Sequence, residues 1–317
     1  MSESNVSAEV KPIEYGHAGV TPYRPFYSHS GKVTLRGTAL SVVVGLLVAV
    51  LTGFIYAYAD LYIPIVYLNV MLCLGFGAVI GAAAAAVLRW GKVRNVPVAL
   101  AIVAVLTLVA YYVCWDVWAI AVFDRFKVPR PIGFVGLLVR PDLIYRMAYV
   151  INDAGTWSMG SSSSPGNENV SGIALLAVWV GEALCIFGTS LAVAKSMASD
   201  RPFCEKCDAW CAPDRLVATL KPIDKRELKE AFVGRNWPLI AQSIDNVGGG
   251  GVRHWIALQH HACSSCNQLN TLTAVETKVT VDKKGKSKVN KKVVMNKLIV
   301  TAEEVAYLKA LPPVSQA

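Results

Sequence analysis

The chain has 317 residues, of which 54% are hydrophobic and only 17% charged, with a mean hydropathy of +0.43. That composition excludes an ordinary water-soluble globular chain. The formal net charge of +9, from 31 Lys and Arg against 22 Asp and Glu, gathers in short loops beside apolar stretches and in a lysine-rich stretch near the C-terminus.

Residues 1–37 form a polar tail containing Pro12, Pro22 and Pro25. No short basic stretch stands at the extreme terminus, so a cleaved signal peptide is not expected and the first apolar stretch should stay as an anchor. Apolar windows at Thr38–Ala59, Pro64–Leu88, Pro97–Val122 and Ser171–Ala194 each match the roughly 20 residues a helix needs to cross ~30 Å of hydrocarbon. Lys32 and Arg36 precede the first span, and Arg89, Lys92 and Arg94 fill the turn between the second and third. Basic flanks stay on the cytoplasmic side, which puts both there and, with an even number of spans, both termini as well. The link between the first two spans carries only Asp60 and a belt of Tyr56, Tyr58, Tyr62 and Tyr67, as an outer interface would. Arg125, Lys127 and Arg130 after the third span pull the other way.

Small residues recur at helical spacing within the spans. Gly45, Ala49, Gly53 and Ala57 line the first, Gly77, Gly81 and Ala85 the second, and Ala177, Gly181, Cys185, Gly188 and Ala192 the fourth. Such stripes allow close helix approach and predict a compact four-helix bundle, with a homo-oligomer face as the other use for one of them. The long segment 124–170 contains Leu143, Ile144, Met147, Val150 and Ile151 at helical spacing after Pro141. This predicts an amphipathic helix that caps the bundle or lies on the outer surface, with ligand binding as the sharper alternative. Ser161–Gly166 reads as a flexible tip.

Glu182 lies near the middle of the fourth span, where a carboxylate costs at least ~2.5 kcal/mol and must find a partner or a proton. It either accepts a hydrogen bond across the bundle, from a residue such as Asn69 or Thr107, or belongs to a proton or ion path. Asp116, between Trp115 and Trp118, is expected to reach the outer interface instead.

From residue 199 to 317 charges return, and five of the eight cysteines gather. Two Cys-x-x-Cys pairs, Cys204/Cys207 and Cys263/Cys266, supply the four thiolates of a closed tetrahedral site for a borderline-soft ion such as Zn2+, which would then be structural. Over Phe203–Asn267 this part resembles zinc-ribbon domains. It departs from them in the long gap between the pairs, which an inserted segment holding a helix at Lys225–Phe232 and a joint at Gly248–Gly251 would explain. Cys211, His254, His260 and His261 are close enough in sequence to replace one ligand. A redox dithiol is disfavoured, because no βαβ pattern surrounds either pair.

Thr271–Val281 and Val289–Thr301 flank Asp282–Ser287 as a β-hairpin, followed by a helix capped by Thr301. Its lysines, Lys278, Lys283, Lys284, Lys286, Lys288, Lys291, Lys292 and Lys297, suit a protected sheet edge, or else contact with anionic lipid. Nucleic acid is disfavoured, because no aromatic platform is interleaved with them.

The expected fold is therefore an α-helical integral membrane bundle of four transmembrane helices over 38–198, carrying a C-terminal cytoplasmic α+β zinc-ribbon-like domain over 199–317. No nucleophile, base and orienter set accompanies it, so the expected function is a non-enzymatic interaction or scaffold module at the inner membrane surface, with a cytoplasmic protein as partner. The alternative is a small transporter or channel subunit using Glu182.

Overall fold

A computed structural model describes residues 25–63, 66–125, 132–155, 170–213, 215–244, 254–281 and 286–310. The expected features at residues 1–24, Lys127, Arg130, Ser161–Gly166, Gly248–Gly251 and the hairpin turn at Asp282–Gly285 lie outside those residues.

Four long apolar helices, α1 (Leu35–Tyr62), α2 (Val66–Trp90), α3 (Val96–Arg125) and α6 (Gly172–Asp200), occupy the four apolar windows and fit a membrane bundle. The first small-residue stripe is the buried face of α1, where Gly45 meets Leu106 and Gly53 meets Ala110 and Val113 of α3. On α2 a Cβ at Gly77 or Gly81 would run into the carbonyl oxygen of Ile186 or Ser190, so α2 and α6 touch backbone to backbone. The stripe on α6 behaves differently. Gly181 and Gly188 have no neighbour within reach of a Cβ, and α6 turns Leu175, Ile186, Ser190 and Ala194 inward instead. One smooth helix suffices for close approach, and α2 supplies it.

Between α3 and α6, a short α4 (Phe134–Leu138) precedes α5 (Pro141–Ala154), which opens with Pro141 in its first turn. Leu137 and Ile144 pack on Ala119 near the end of α3, and Tyr112 Oη donates to the Leu138 carbonyl at 2.9 Å. This pair of helices caps one end of the bundle, as the amphipathic pattern of α5 predicts. No periodic pattern in the sequence announces α4.

The other end carries the cysteines. A two-stranded ribbon, β1 (Phe203–Cys204) and β2 (Ala209–Trp210), precedes an antiparallel sheet in spatial order β3 (Arg215–Leu220), β4 (His254–Ala262), β5 (Asn270–Val281) and β6 (Ser287–Val300). Helices α7 (Lys225–Val233), α8 (Trp237–Gln242) and α9 (Ala302–Ala310) cover one face. Along β4 and β5 the alternate residues Ile256, Leu258, Leu272 and Ala274 face these helices and pack with Leu228, Phe232, Ile240 and Leu308 in the core. At α9 a reciprocal box forms: Glu304 N donates to Thr301 Oγ1 at 3.1 Å, and Thr301 N donates to Glu304 Oε2 at 2.8 Å.

The polar tail does not end as a tail. Tyr27 N donates to the Lys297 carbonyl and Ile299 N donates to the Pro25 carbonyl, both at 2.8 Å, so residues 25–27 lie along the edge of β6. Phe26 packs against the sheet core before the chain passes on to α1.

Candidate metal centre

Each Cys-x-x-Cys pair sits in a tight turn whose geometry is set by the residue after the second cysteine. Cys204 and Cys207 span the turn from β1 to β2, while Cys263 and Cys266 follow β4. Asp208 and Asn267, the residues that follow, both take left-handed backbone, with φ of 49° and 52°. Asp and Asn tolerate that region better than other residues with a side chain, because their short polar groups bond locally. The two turns are tied at their stems by Ala212 N donating to the Ala262 carbonyl at 2.9 Å.

The result is convergence across the long insertion. The four sulfurs of Cys204, Cys207, Cys263 and Cys266 all lie within 4.8 Å of one another, and the Cys204 and Cys266 sulfurs are 3.7 Å apart. Ligands at ~2.3 Å around a tetrahedral zinc have sulfurs about 3.8 Å apart, so the cluster matches a metal's demands. The backbone N–H of Gln268 holds the Cys266 thiol down to about 7, which prepares a thiolate. Cys207 is pushed up to about 12, because its thiol hydrogen-bonds the Cys266 sulfur and so holds its proton.

The replacement ligands do not join the cluster. Cys211 packs beside it, and burial first of all pushes its thiol up to about 12, so it behaves as a small apolar residue. His254 Nε2 bonds Glu276 at 2.9 Å, His260 Nε2 bonds Asn270 Oδ1 at 2.9 Å, and His261 is outside the group of four. The β3, α7, α8 and β4 elements fill the gap between the pairs. They also build a core of their own, so the domain is less dependent on a metal than its short cysteine turns imply.

The first cysteine turn is docked on the bundle. Arg94 Nη1 donates to Glu205 Oε2 at 2.7 Å, and its guanidinium lies 4.3 Å from the centre of the Phe203 ring. Ser30 Oγ donates to the other Glu205 oxygen at 2.7 Å, and Lys32 reaches the same carboxylate at 3.5 Å. Burial pushes Glu205 up, but Ser30, Arg94 and Lys32 together outweigh it and hold the carboxyl below its ordinary value. Lys92 pairs with Asp208, and Trp210 Nε1 donates to the Arg89 carbonyl at 2.9 Å. The turn between α2 and α3, singled out by its basic residues, is thus the seat of the cysteine domain. Its partners Glu205 and Asp208 were in view as acids inside and just after a Cys-x-x-Cys pair, but sequence reasoning did not connect them.

Inside the bundle Glu182 is bonded by Tyr56 Oη at 2.7 Å, and Tyr56 Oη also lies 3.1 Å from the Cys73 sulfur. The expected partners are not used: Thr107 bonds Ser190 at 2.8 Å, and the side-chain Oδ1 of Asn69 is buried without a hydrogen bond among the described residues. Tyr56 was counted in an interfacial belt, yet it points inward from α1 and stacks on Phe76 with ring centres 4.4 Å apart. Asp116 is not exposed as an interfacial side chain would be: it is fully buried, and among the described residues neither carboxyl oxygen has a hydrogen-bond partner.

The hairpin of β5 and β6 is two-faced. Val279 pairs with Val289 and Val275 with Val293 on one side, while Lys278 and Lys292 share the other with Glu276. Glu276 is bonded by Lys278 and His254 and ion-paired with Lys225, which hold its carboxyl down to about 2. Lys297, counted among the hairpin lysines, is buried at the end near Tyr27 rather than exposed.

No family model matches this sequence, and the comparisons with curated proteins and with solved structures returned no match either.

Proposed function

We propose that the protein is a non-enzymatic membrane anchor that holds a zinc-ribbon-like module against the inner membrane surface, where it serves as an interaction or scaffold site for a cytoplasmic protein. The convergence of four cysteine sulfurs within 4.8 Å, on a turn fastened to the α2–α3 loop through Arg94 and Glu205, carries this reading. Four protein thiolates would leave a bound zinc without an open position, so the ion stabilises structure and performs no chemistry. The basic residues of that loop favour the cytoplasmic side, as in the charge rule for short loops. Anionic lipid is a second contact for the domain through the exposed Lys288, Lys291 and Lys292.

The full-length chain purified in mild detergent should carry about one zinc per molecule. A Cys263→Ser variant should lose it, and photo-crosslinkers at the exposed Lys206 should capture a cytoplasmic protein from intact cells only when the zinc is present. A metal-free chain with the same crosslinks would defeat the proposal.

Transport through Glu182 is kept as the alternative because of one observation: Asp116 is a second buried acid, without a hydrogen-bond partner among the described residues, near the same depth. The Trp115–Trp179 contact at 4.9 Å puts Asp116 about one helical turn from the level of Glu182. Proton flux into vesicles reconstituted with the protein, abolished by Glu182→Gln, would put transport first.

A further inference from the structure

At the end of the bundle away from the cysteines, α3, α5 and α6 part to leave a cleft of about 760 Å3. This is within the roughly 300–1,000 Å3 of small-molecule sites. One wall is apolar and open to the side: Leu108, Ile173 and Leu176 line it and are 57%, 87% and 51% exposed on helices that fit a bilayer. An acyl chain already lying against these helices could therefore enter laterally, without crossing water.

The other wall is aromatic. Tyr111, Tyr112, Trp115 and Trp179 line the cleft from α3 and α6, with Trp115 and Trp179 edge to face at 4.9 Å. Helix α5 splits its two sides between two tasks. Leu143 and Met147 pack toward α3 and α4, whereas Tyr145, Ala148, Tyr149 and Asn152 turn to the cleft. Tyr145 and Tyr149 are 74% and 68% exposed, as side chains at a headgroup level are.

Charge selects among lipids. Among the described residues of the lining Asp153 is the one ionisable acid or base other than tyrosine, and no Lys or Arg is among them. Among the described residues Asp153 has no ion pair, and Arg146 of the same helix is not part of the lining. A carboxylate beside several aromatic faces is the arrangement that attracts an organic ammonium, and it disfavours a headgroup that carries only negative charge. We infer that the cleft binds one phospholipid with an ammonium-bearing headgroup, its acyl chain against Leu108, Ile173 and Leu176 and its ammonium among Tyr145, Tyr149 and Asp153.

The test uses the full chain in detergent, titrated with phosphatidylethanolamine, phosphatidylcholine and phosphatidylglycerol of identical acyl chains and followed by native mass spectrometry. The wild type should retain one ammonium lipid per chain at about fivefold lower concentration than phosphatidylglycerol. Asp153→Asn, a conservative change at an exposed position, should bring the lipids close to parity. Ala148→Trp, which fills the cleft from α5, should remove the bound lipid of either kind. Choline alone should not displace the lipid, because the acyl chain supplies much of the binding; displacement by choline would overturn the lipid assignment in favour of a free cation. Equal retention of phosphatidylglycerol by the wild type, an unchanged preference in Asp153→Asn, or undiminished binding in Ala148→Trp would each overturn it too.

Discussion

The bundle and the sheet domain place the same kinds of side chain in opposite positions. In the bundle the buried face of α1 is mostly small, Gly45, Ala49, Gly53 and Ala57 beside Tyr56, while Leu47, Leu51 and Ile55 point outward with 62–68% exposure. In the sheet domain Phe232, Leu258 and Leu272 are fully buried, and exposed strand positions go to lysines such as Lys278, Lys288, Lys291 and Lys292. The difference is one of solvent. Hydrocarbon exerts no drive to hide a leucine, so helices there gain from backbone approach and van der Waals fit, whereas water expels apolar surface at roughly 25 cal/mol per Å2.

If that contrast is right, the two regions should fail separately. Chelation of the metal or Cys204→Ser should have the largest effect, because structural zinc contributes ~10–16 kcal/mol of apparent binding energy in small metal domains. Hydrogen exchange should accelerate by orders of magnitude at residues 203–212 and 262–269 and in the α2–α3 turn. Helicity of the bundle should persist, and amides of β4 and β5 over the separate core should stay the slowest in the sheet domain. Loss of bundle helicity on chelation would mean the regions are one cooperative unit.

Next in size is a steric test within the bundle. Gly81→Leu should lower thermal stability in detergent by about 1–3 kcal/mol or more, since the added atoms meet the Ser190 backbone. Gly188→Leu, facing open space on α6, should change it by no more than about 0.5 kcal/mol. Similar losses in both would indicate that the exposed α6 stripe is itself packed against another copy.

Arg94→Met should then loosen the dock without unfolding either side. The arginine is 6% exposed but its partner Glu205 is one-third exposed, so the solvent-screened loss is about 1–2 kcal/mol. It should appear as faster exchange confined to the α2–α3 turn and the first cysteine turn, with zinc content unchanged.

The smallest effect concerns pH. His29 packs between Tyr27 and Trp210, and burial first, then Lys297, holds its imidazole down to about 4, against an ordinary 6.5. The segment of residues 25–30 forms a strap over β6 and the first cysteine turn; undocked it binds the proton more readily, so its docking is complete above about 6.5 and weakens as pH falls toward 4. Strap protection at residues 26–30 should therefore drop across that window, and His29→Asn should remove this component while leaving any acid release of the metal in place.

The sequence alone disclosed the four helices, because continuous apolar runs have few alternatives, and the cysteine pairs, because their spacing is local. It also placed α5, α7, the hairpin and the Thr301 cap, each written in consecutive residues. What it could not disclose were partners chosen across the chain. A stripe on α6 looks the same whether it meets α2 or lipid, and nothing near Glu182 names Tyr56. The pairing of Glu205 with Arg94 joins two motifs that were each recognised singly. Asp208 and Asn267 were a missed local signal: an Asp or Asn after each second cysteine marks the left-handed exit that both turns share.

The strap at residues 25–27 has a consequence for the order in which the molecule is made. Its partners on β6, Lys297 and Ile299, are synthesised only after all four apolar helices. At ~5–20 residues per second, the strap waits on the order of tens of seconds while all four apolar helices enter the membrane. Its bridge to β6 has no partner until that interval ends. The sheet edge is therefore closed by the earliest of its segments to emerge, so a nascent chain halted before β6 would hold an inserted bundle, a vacant Phe26 and an α2–α3 turn with an incomplete seat for its cysteines.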